Sequence, residues 1–224
     1  MKIILMGDST MQTNDASTYP QVGWGQMLSL FFKSDVQIMN FAKNGCSTKS
    51  FYDLGFFNKA LAEVEEGTYC LIQFGHNDQK VENPLRYTDK ETTYKTNLSF
   101  YIDEIRQRKG IPVLLTSVYR RYFDNQQRII EDVHQGYPEA MMEVAWQENV
   151  LLLDICQLSK DLLTRLGEEA SKRLFMVFSP GLYDHYPQGM NDNTHLRSDG
   201  AFLIAKMVVD ELKRINHPLE KYLL

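Results

Sequence analysis

Short apolar runs alternate with longer amphipathic stretches along the whole chain. Lys2–Met6, Val36–Phe41, Tyr69–Gln73, Val113–Ser117 and Val150–Leu153 are brief, rich in branched or aromatic residues, and do not switch cleanly between apolar and polar. That is the pattern of strands buried on both faces. Trp24–Lys33, Leu54–Glu65, Lys90–Lys109, Pro138–Gln147, Asp154–Leu166 and Ser198–Ile215 carry apolar residues at helical spacing. Ser198 suits a helix N-cap, with Asp199 in the first turn and Pro218 just past the end. Gly110 suits the stop of the helix before it. This alternation predicts an α/β fold, a parallel sheet of five strands with helices on both faces. No repeat, low-complexity stretch or Ser/Gly linker divides the chain, so residues 1–224 read as one domain of ordinary size.

In such sheets, function gathers beyond the C-terminal ends of the strands. Gly7-Asp8-Ser9 follows the first strand, Asn44–Ser47 the second, and Gly75-His76-Asn77-Asp78 the third. Three loops are therefore expected to open on one edge. Near the other end of the chain, Asp192-Asn193-Thr194-His195 sets a carboxylate three residues before a histidine, a spacing that fits one turn. The carboxylate of Asp192 can fix the tautomer of His195, and the imidazole can take a proton from a hydroxyl. Ser9 supplies that hydroxyl, since a serine becomes a nucleophile only with a base at hydrogen-bond distance. The backbone N–H groups of Ser9 and Gly45 and the side-chain amide of Asn77 are the candidate donors to a developing oxyanion. Taken singly, Gly-Asp-Ser-Thr is also a good helix cap, and Asn77-Asp78 a good turn. No G-x-S-x-G is present, so the nucleophile elbow of the α/β-hydrolases is absent.

Composition narrows the partners. With 43% hydrophobic and 24% charged residues the chain is globular, and its net charge of −5 gives no long-range attraction for nucleic acid or anionic lipid. No apolar run is long enough to span a bilayer. Lys2–Met6 leads directly into Gly7-Asp8-Ser9, with no signal peptide in view, and a cytoplasmic location is expected. Cys46, Cys70 and Cys156 cannot all pair and have no zinc-like spacing, which predicts reduced, buried thiols. No set of metal ligands stands out.

The four blocks Gly7-Asp8-Ser9, Gly45, Gly75-x-Asn77-Asp78 and Asp192-x-x-His195, in that order, resemble the signature blocks of the SGNH, or GDSL-type, hydrolases. Three longer stretches resemble the rhamnogalacturonan acetylesterase branch. They are Gly7-Asp8-Ser9-Thr10 with Gly23-Trp24-Gly25, Gly75 to Lys80, and Asp192 to His195 with Gly200-Ala201. The resemblance implies a three-layer α/β/α, flavodoxin-like fold and release of acetate from acetylated pectic sugar, with no metal or cofactor. It departs at one position. The glycine of the second block is commonly followed by arginine in that branch, whereas Gly45 is followed by Cys46. A thiol cannot hold a carboxylate as a guanidinium does. Lys43, Lys49, Lys80, Arg120 and Arg121 are the basic residues available to compensate.

The expected reaction is carbohydrate O-deacetylation through an acyl-serine, with Ser9, His195 and Asp192 as the catalytic set. Trp24, His76 and Lys49 are candidate substrate contacts, and Tyr119, Tyr122, Tyr183 and Tyr186 are aromatic surfaces available to sugar rings. His76 can equally serve to order its own loop. Two other readings stand beside this one. A lipase or thioesterase on the same scaffold would carry a greasy acyl groove, and a carbohydrate-binding protein would keep the fold without turnover. The substrate is a small-molecule or oligosaccharide ester in the first reading, and the sequence leaves the oligomeric state open.

Overall fold

The computed structural model describes residues 1–224. Five parallel strands form the central sheet: β1 (Lys2–Gly7), β2 (Gln37–Asn40), β3 (Tyr69–Gln73), β4 (Ile111–Leu115) and β5 (Leu151–Leu153). Their order is β2-β1-β3-β4-β5. This is the flavodoxin-like order, and its direction of winding reverses between β1 and β3. Loops leaving neighbouring strands at such a point diverge to opposite faces and open a crevice between them.

The central strands β1, β3 and β4 are buried because successive side chains point to opposite faces and both faces are covered. Ile3, Leu5, Leu71, Val113, Leu115 and Leu153 face one layer, with Trp24, Leu163, Ile204, Ala205 and Val208. Ile4, Met6, Cys70, Ile72 and Leu114 face the other, with Phe51, Phe57, Leu98, Tyr101, Ile105 and Met141. Burying one such Val, Leu, Ile or Phe side chain contributes roughly 1.5–3 kcal/mol. The two apolar layers therefore anchor a strand edge whose loops are largely polar. All three cysteines are buried and unpaired, as their spacing predicts. No helix is long and apolar enough to cross a membrane.

The helices are α1 (Trp24–Met27), α2 (Thr48–Asp53), α3 (Phe56–Leu61), α4 (Lys95–Gln107), α5 (Tyr137–Gln147), α6 (Ile155–Ser171) and α7 (Ser198–Arg214). The expected helix over Leu54–Glu65 is instead two short ones. Gly55, at φ +75°, takes a left-handed conformation that breaks the run between them. The stretch from Trp24 is helical for one turn and tightens to 3-10 geometry over Leu28–Phe31. α4 begins with a π-type turn over Lys90–Tyr94. Arg197, not Ser198, occupies the cap position of α7, and it makes no side-chain capping bond.

The apolar pattern did not foretell a two-stranded antiparallel hairpin, β6 (Phe175–Phe178) and β7 (Met190–Leu196), outside the main sheet. It packs beside the start of α7. A side chain at Gly200 would place its Cβ 2.1 Å from the Leu174 carbonyl oxygen, so only glycine allows this approach. Phe175 pairs with Leu196 and Met176 with Asp192, which leaves Asn193, Thr194 and His195 bulged out of the ladder.

Candidate active site

The bulge in β7 gives the first piece of chemistry. In an unbroken strand, residues three apart point to opposite faces. Here the chain folds back, and the backbone N–H groups of Thr194 and His195 both donate to Asp192 Oδ1, at 2.8 and 3.0 Å. The same carboxylate meets His195 through its other oxygen, with Oδ2 2.6 Å from Nδ1. Burial opposes the charge on Asp192, but the His195 ring and the two backbone donors prevail and hold its carboxyl at about 2. Arg121 fixes the bulge from outside. Its backbone N–H donates to the Asn193 carbonyl at 2.8 Å, and its Nη1 donates to Asn193 Oδ1 at 2.5 Å. Ser171 Oγ and the Glu168 carbonyl take the rest of the guanidinium.

Ser9 arrives from the opposite end of the chain, on the turn after β1. Its Oγ lies 2.8 Å from His195 Nε2. The sequence thus places hydroxyl, imidazole and carboxylate in one line although 186 positions separate the first two. Beside them, the backbone N–H groups of Ser9 and Gly45 make no hydrogen bond within the chain. Asn77 Nδ2 donates one hydrogen to the Cys46 carbonyl at 3.0 Å and has a second to give. Gly45 sits at φ +76°, and a Cβ there would meet the Arg86 guanidinium at 2.9 Å. Ser9, Gly45, Asn77, His195 and Asp192 all line one cleft of about 260 Å³ at the β1/β3 crevice. The residues named from sequence as nucleophile, base, orienting carboxylate and oxyanion donors are therefore brought together.

Two buried carboxylates hold the loops of this cleft in register. Asp8 Oδ1 accepts from the N–H and hydroxyl of Thr10, and its Oδ2 lies 2.8 Å from His76 Nδ1. Desolvation works against the Asp8 carboxylate, yet His76 and Thr10 lower its pKa. Asp78 Oδ1 accepts from the Thr48 N–H and hydroxyl and from the Thr88 hydroxyl, tying the loop after β3 to the start of α2. Asp78 is fully buried, and desolvation pushes its carboxyl up to about 6 in spite of those bonds.

Folding consequently favours protonated Asp78. The stabilisation is complete below the ordinary value of 3.8 and is lost as pH rises through about 6. A rise of that size corresponds to about 3 kcal/mol. Asp78→Asn keeps the shape and removes the charge. It is expected to match the native chain near pH 4 and to exceed it by up to about 3 kcal/mol at pH 8, as read by urea unfolding at the two pH values. Equal stabilities at pH 8 would contradict this account.

Three expected substrate contacts are placed differently. Trp24 is fully buried and donates its indole N–H to Gln73 Oε1 at 2.7 Å, so it supports the strand ends from below rather than meeting a ligand. Lys49 lies on α2 and pairs with Asp53 at 2.6 Å, away from the cleft lining. His76 does line the cleft, but both ring nitrogens face protein oxygens, Asp8 Oδ2 and the Val118 carbonyl at 2.9 Å, and it orders its loop. None of Tyr119, Tyr122, Tyr183 and Tyr186 lines the cleft. Tyr119 is buried, and Tyr183 packs edge-on against Tyr19 and Phe178.

A further cation at the cleft is Arg86, which no motif in the sequence points to. It stands in a turn closed by its N–H to the Asn83 carbonyl and reaches back over Gly45 and Asn77. Lys80 and Arg120 line the same cleft, which has no hydrophobic side chain among its walls. The carboxylates nearby, Asp8 and Asp192, are paired with histidines, not with these cations. Desolvation, then the charges of Arg86 and Arg120, lowers the Lys80 pKa against the opposing pull of Glu82 and Asp8. Cys46, in the place where an arginine was expected, is buried, and burial raises its thiol pKa, so it presents neither charge nor thiolate.

Residues 5–202 match the GDSL-like Lipase/Acylhydrolase family. Rhamnogalacturonan acetylesterase RhgT of Bacillus subtilis (strain 168) is 37% identical over 223 residues, covering 100% of this chain and 94% of that protein. Among solved structures, YxiM of Bacillus subtilis superposes with a TM-score of 0.79 at 25% identity. The match covers 96% of this chain and 56% of YxiM, so the chain spans a little over half of that structure. Axe2, an acetylxylan esterase from Geobacillus stearothermophilus, superposes with a TM-score of 0.65 at 14% identity, over 94% of this chain and 93% of its own, a likeness of fold.

Proposed function

Since the chain belongs to the GDSL-like lipase/acylhydrolase family and is a carboxylic ester hydrolase, we propose that it removes O-acetyl groups from an acidic, pectic oligosaccharide through an acetyl-serine intermediate. The observation that carries the chemistry is the continuous line from Ser9 Oγ through His195 to Asp192, at 2.8 and 2.6 Å. His195 Nε2 takes the Ser9 proton as Oγ attacks the ester carbonyl. The Ser9 and Gly45 N–H groups and the Asn77 amide receive the oxyanion. Collapse of the tetrahedral centre breaks the bond to the sugar oxygen, which leaves with the proton from His195. Water then enters, gives its proton to His195 and attacks the acetyl carbon. The second collapse frees Ser9, which regains its proton as acetate departs. Asp192 stays ionised throughout, as a carboxyl held at about 2 requires.

Replacing Asn77 with alanine is expected to lower kcat by ~10²–10³-fold, the usual cost of one oxyanion donor. Steady-state kinetics on 4-nitrophenyl acetate measure it, and a change confined to KM would remove Asn77 from the oxyanion site.

The substrate class is supported by the wall chemistry. The walls around Ser9 carry no hydrophobic side chain, and Lys80, Arg86 and Arg120 suit a uronic-acid carboxylate. RhgT, similar along the whole chain, is a rhamnogalacturonan acetylesterase, which agrees with that charge pattern. Acetate release is to be compared across acetylated pectic fragments, acetylated xylan and 4-nitrophenyl octanoate. Preference for the pectic fragments is expected. Preference for xylan would overturn the acidic substrate, and preference for octanoate would overturn deacetylation as the activity.

A further inference from the structure

The buried pair of Asp8 and His76 takes no part in the acyl transfer itself. The β1–β3 ladder ends where Gly7 faces Gln73. Past that point no backbone hydrogen bond joins the turn after β1 to the loop after β3. Side chains cross the gap, Thr10 to Gln73 at 3.3 Å and Asp8 Oδ2 to His76 Nδ1 at 2.8 Å. Each member of the second contact immediately precedes an oxyanion donor. Asp8 shares a peptide bond with the Ser9 N–H, and His76 is followed by Asn77.

The surroundings of the His76 ring fix its proton count. Nδ1 faces a carboxylate oxygen and Nε2 faces the Val118 carbonyl at 2.9 Å. With Asp8 ionised, a neutral imidazole would set one bare nitrogen lone pair against an oxygen. Turning the ring over would offer C–H groups to both oxygens. The site is satisfied when Nε2 carries one proton and a second lies between Nδ1 and Asp8. Burial opposes the Asp8 charge, but His76 and the two Thr10 donors lower its pKa, so that second proton belongs to the nitrogen. The other ionisable neighbours do not hold it there. Arg120 gives Nη2 to the His76 carbonyl at 3.0 Å, and Lys80 and Arg86 share the cleft wall. His134, with its ring 5.2 Å away, is kept neutral by burial, and Asp192 is engaged by His195.

We propose that Asp8 and His76 are a positioning pair, an imidazolium–carboxylate clasp that sets the spacing between the Ser9 N–H and the Asn77 amide; it rests on the acyl-serine reading above. Two donors carried on different strands must converge on one oxygen in the transition state. Breaking the clasp lets them drift apart, which slows the chemistry and leaves ground-state binding to the rest of the cleft.

His76→Ala is expected to lower kcat on 4-nitrophenyl acetate ~10²-fold with KM unchanged, the scale of a small misplacement of reacting groups. A loss carried by KM makes His76 a substrate contact and overturns the clasp, as does native kcat in the folded variant. Asp8→Asn supplies the second test. The Thr10 donors keep the amide oxygen at the Oδ1 position, so the NH₂ group faces His76 Nδ1 and the ring becomes neutral, with its proton on Nε2 toward Val118. Nitrogen NMR of histidine-labelled protein at neutral pH, with His76 assigned through its own backbone, reads the difference. Two protonated ring nitrogens are expected in the native chain and one in Asp8→Asn. A native ring with a single proton overturns the clasp whether or not either variant folds. Turnover retained by Ser9→Ala would instead overturn the acyl-serine reading, and the clasp with it.

Discussion

Ser9→Ala is expected to reduce ester hydrolysis by at least ~10⁴-fold while the protein remains folded, since members of a serine triad act as a unit. The argument rests on how little else the hydroxyl does. Its hydrogen-bond partner is His195, and Ser9 is nearly buried at 6% exposure, so the substitution deletes one oxygen and makes no new polar contact. Asp8, Thr10 and Gln73, which hold the turn, keep their own bonds. Thermal unfolding should therefore be unchanged within a few degrees. A fluorophosphonate should label the native chain at position 9 and leave the variant unlabelled. An alanine variant with most of its activity would remove Ser9 as the nucleophile.

Asp192→Asn is expected to cost ~10⁴-fold in kcat near neutral pH, the scale seen when a triad carboxylate becomes an amide. The bulge dictates the orientation of the new amide. Two backbone N–H groups, from Thr194 and His195, point at the Oδ1 position, so the carbonyl oxygen must stay there. The NH₂ group is then turned toward His195 Nδ1, where a carboxylate oxygen stood before. Nδ1 becomes an acceptor, the ring proton moves to Nε2, and the nitrogen facing Ser9 can no longer take a proton. The fold should hold, because the backbone donors keep an acceptor. Activity within tenfold of the native chain would show that His195 does not depend on Asp192 for its tautomer.

Much of this was legible in the sequence because parallel strands buried on both faces produce unbroken apolar runs. Tyr69–Gln73 emerges with the bounds read from sequence, and the first strand ends one residue later than expected, at Gly7. The hairpin was not legible. Met190–Leu196 is mostly polar, Asn-Asp-Asn-Thr-His at its centre, because its role is to present side chains to a cleft rather than to fill a core. Local propensity also misled over Leu54–Glu65, where helical spacing continued across a glycine that the backbone uses to turn. The four blocks name residues that the fold brings into one cleft, and they were readable because the chemistry they suit restricts the residue type. The other residues of the cleft wall carry no such restriction. Arg86 reaches the site through a long side chain from an ordinary turn, and Trp24, a tempting platform for a sugar, is needed below the sheet edge for its indole N–H.

The bulged hairpin has a consequence for how the enzyme fails. Ser9 is built into the edge of a sheet with apolar layers on both sides, whereas His195 rides on a separate two-stranded ribbon. Arg121 and the Val22 N–H to Leu196 carbonyl bond are among the polar tethers that moor that ribbon. Local opening draws on the weakest such attachments first. Inactivation can thus begin as an undocking, in which the imidazole drifts from the alcohol while the five strands are still intact.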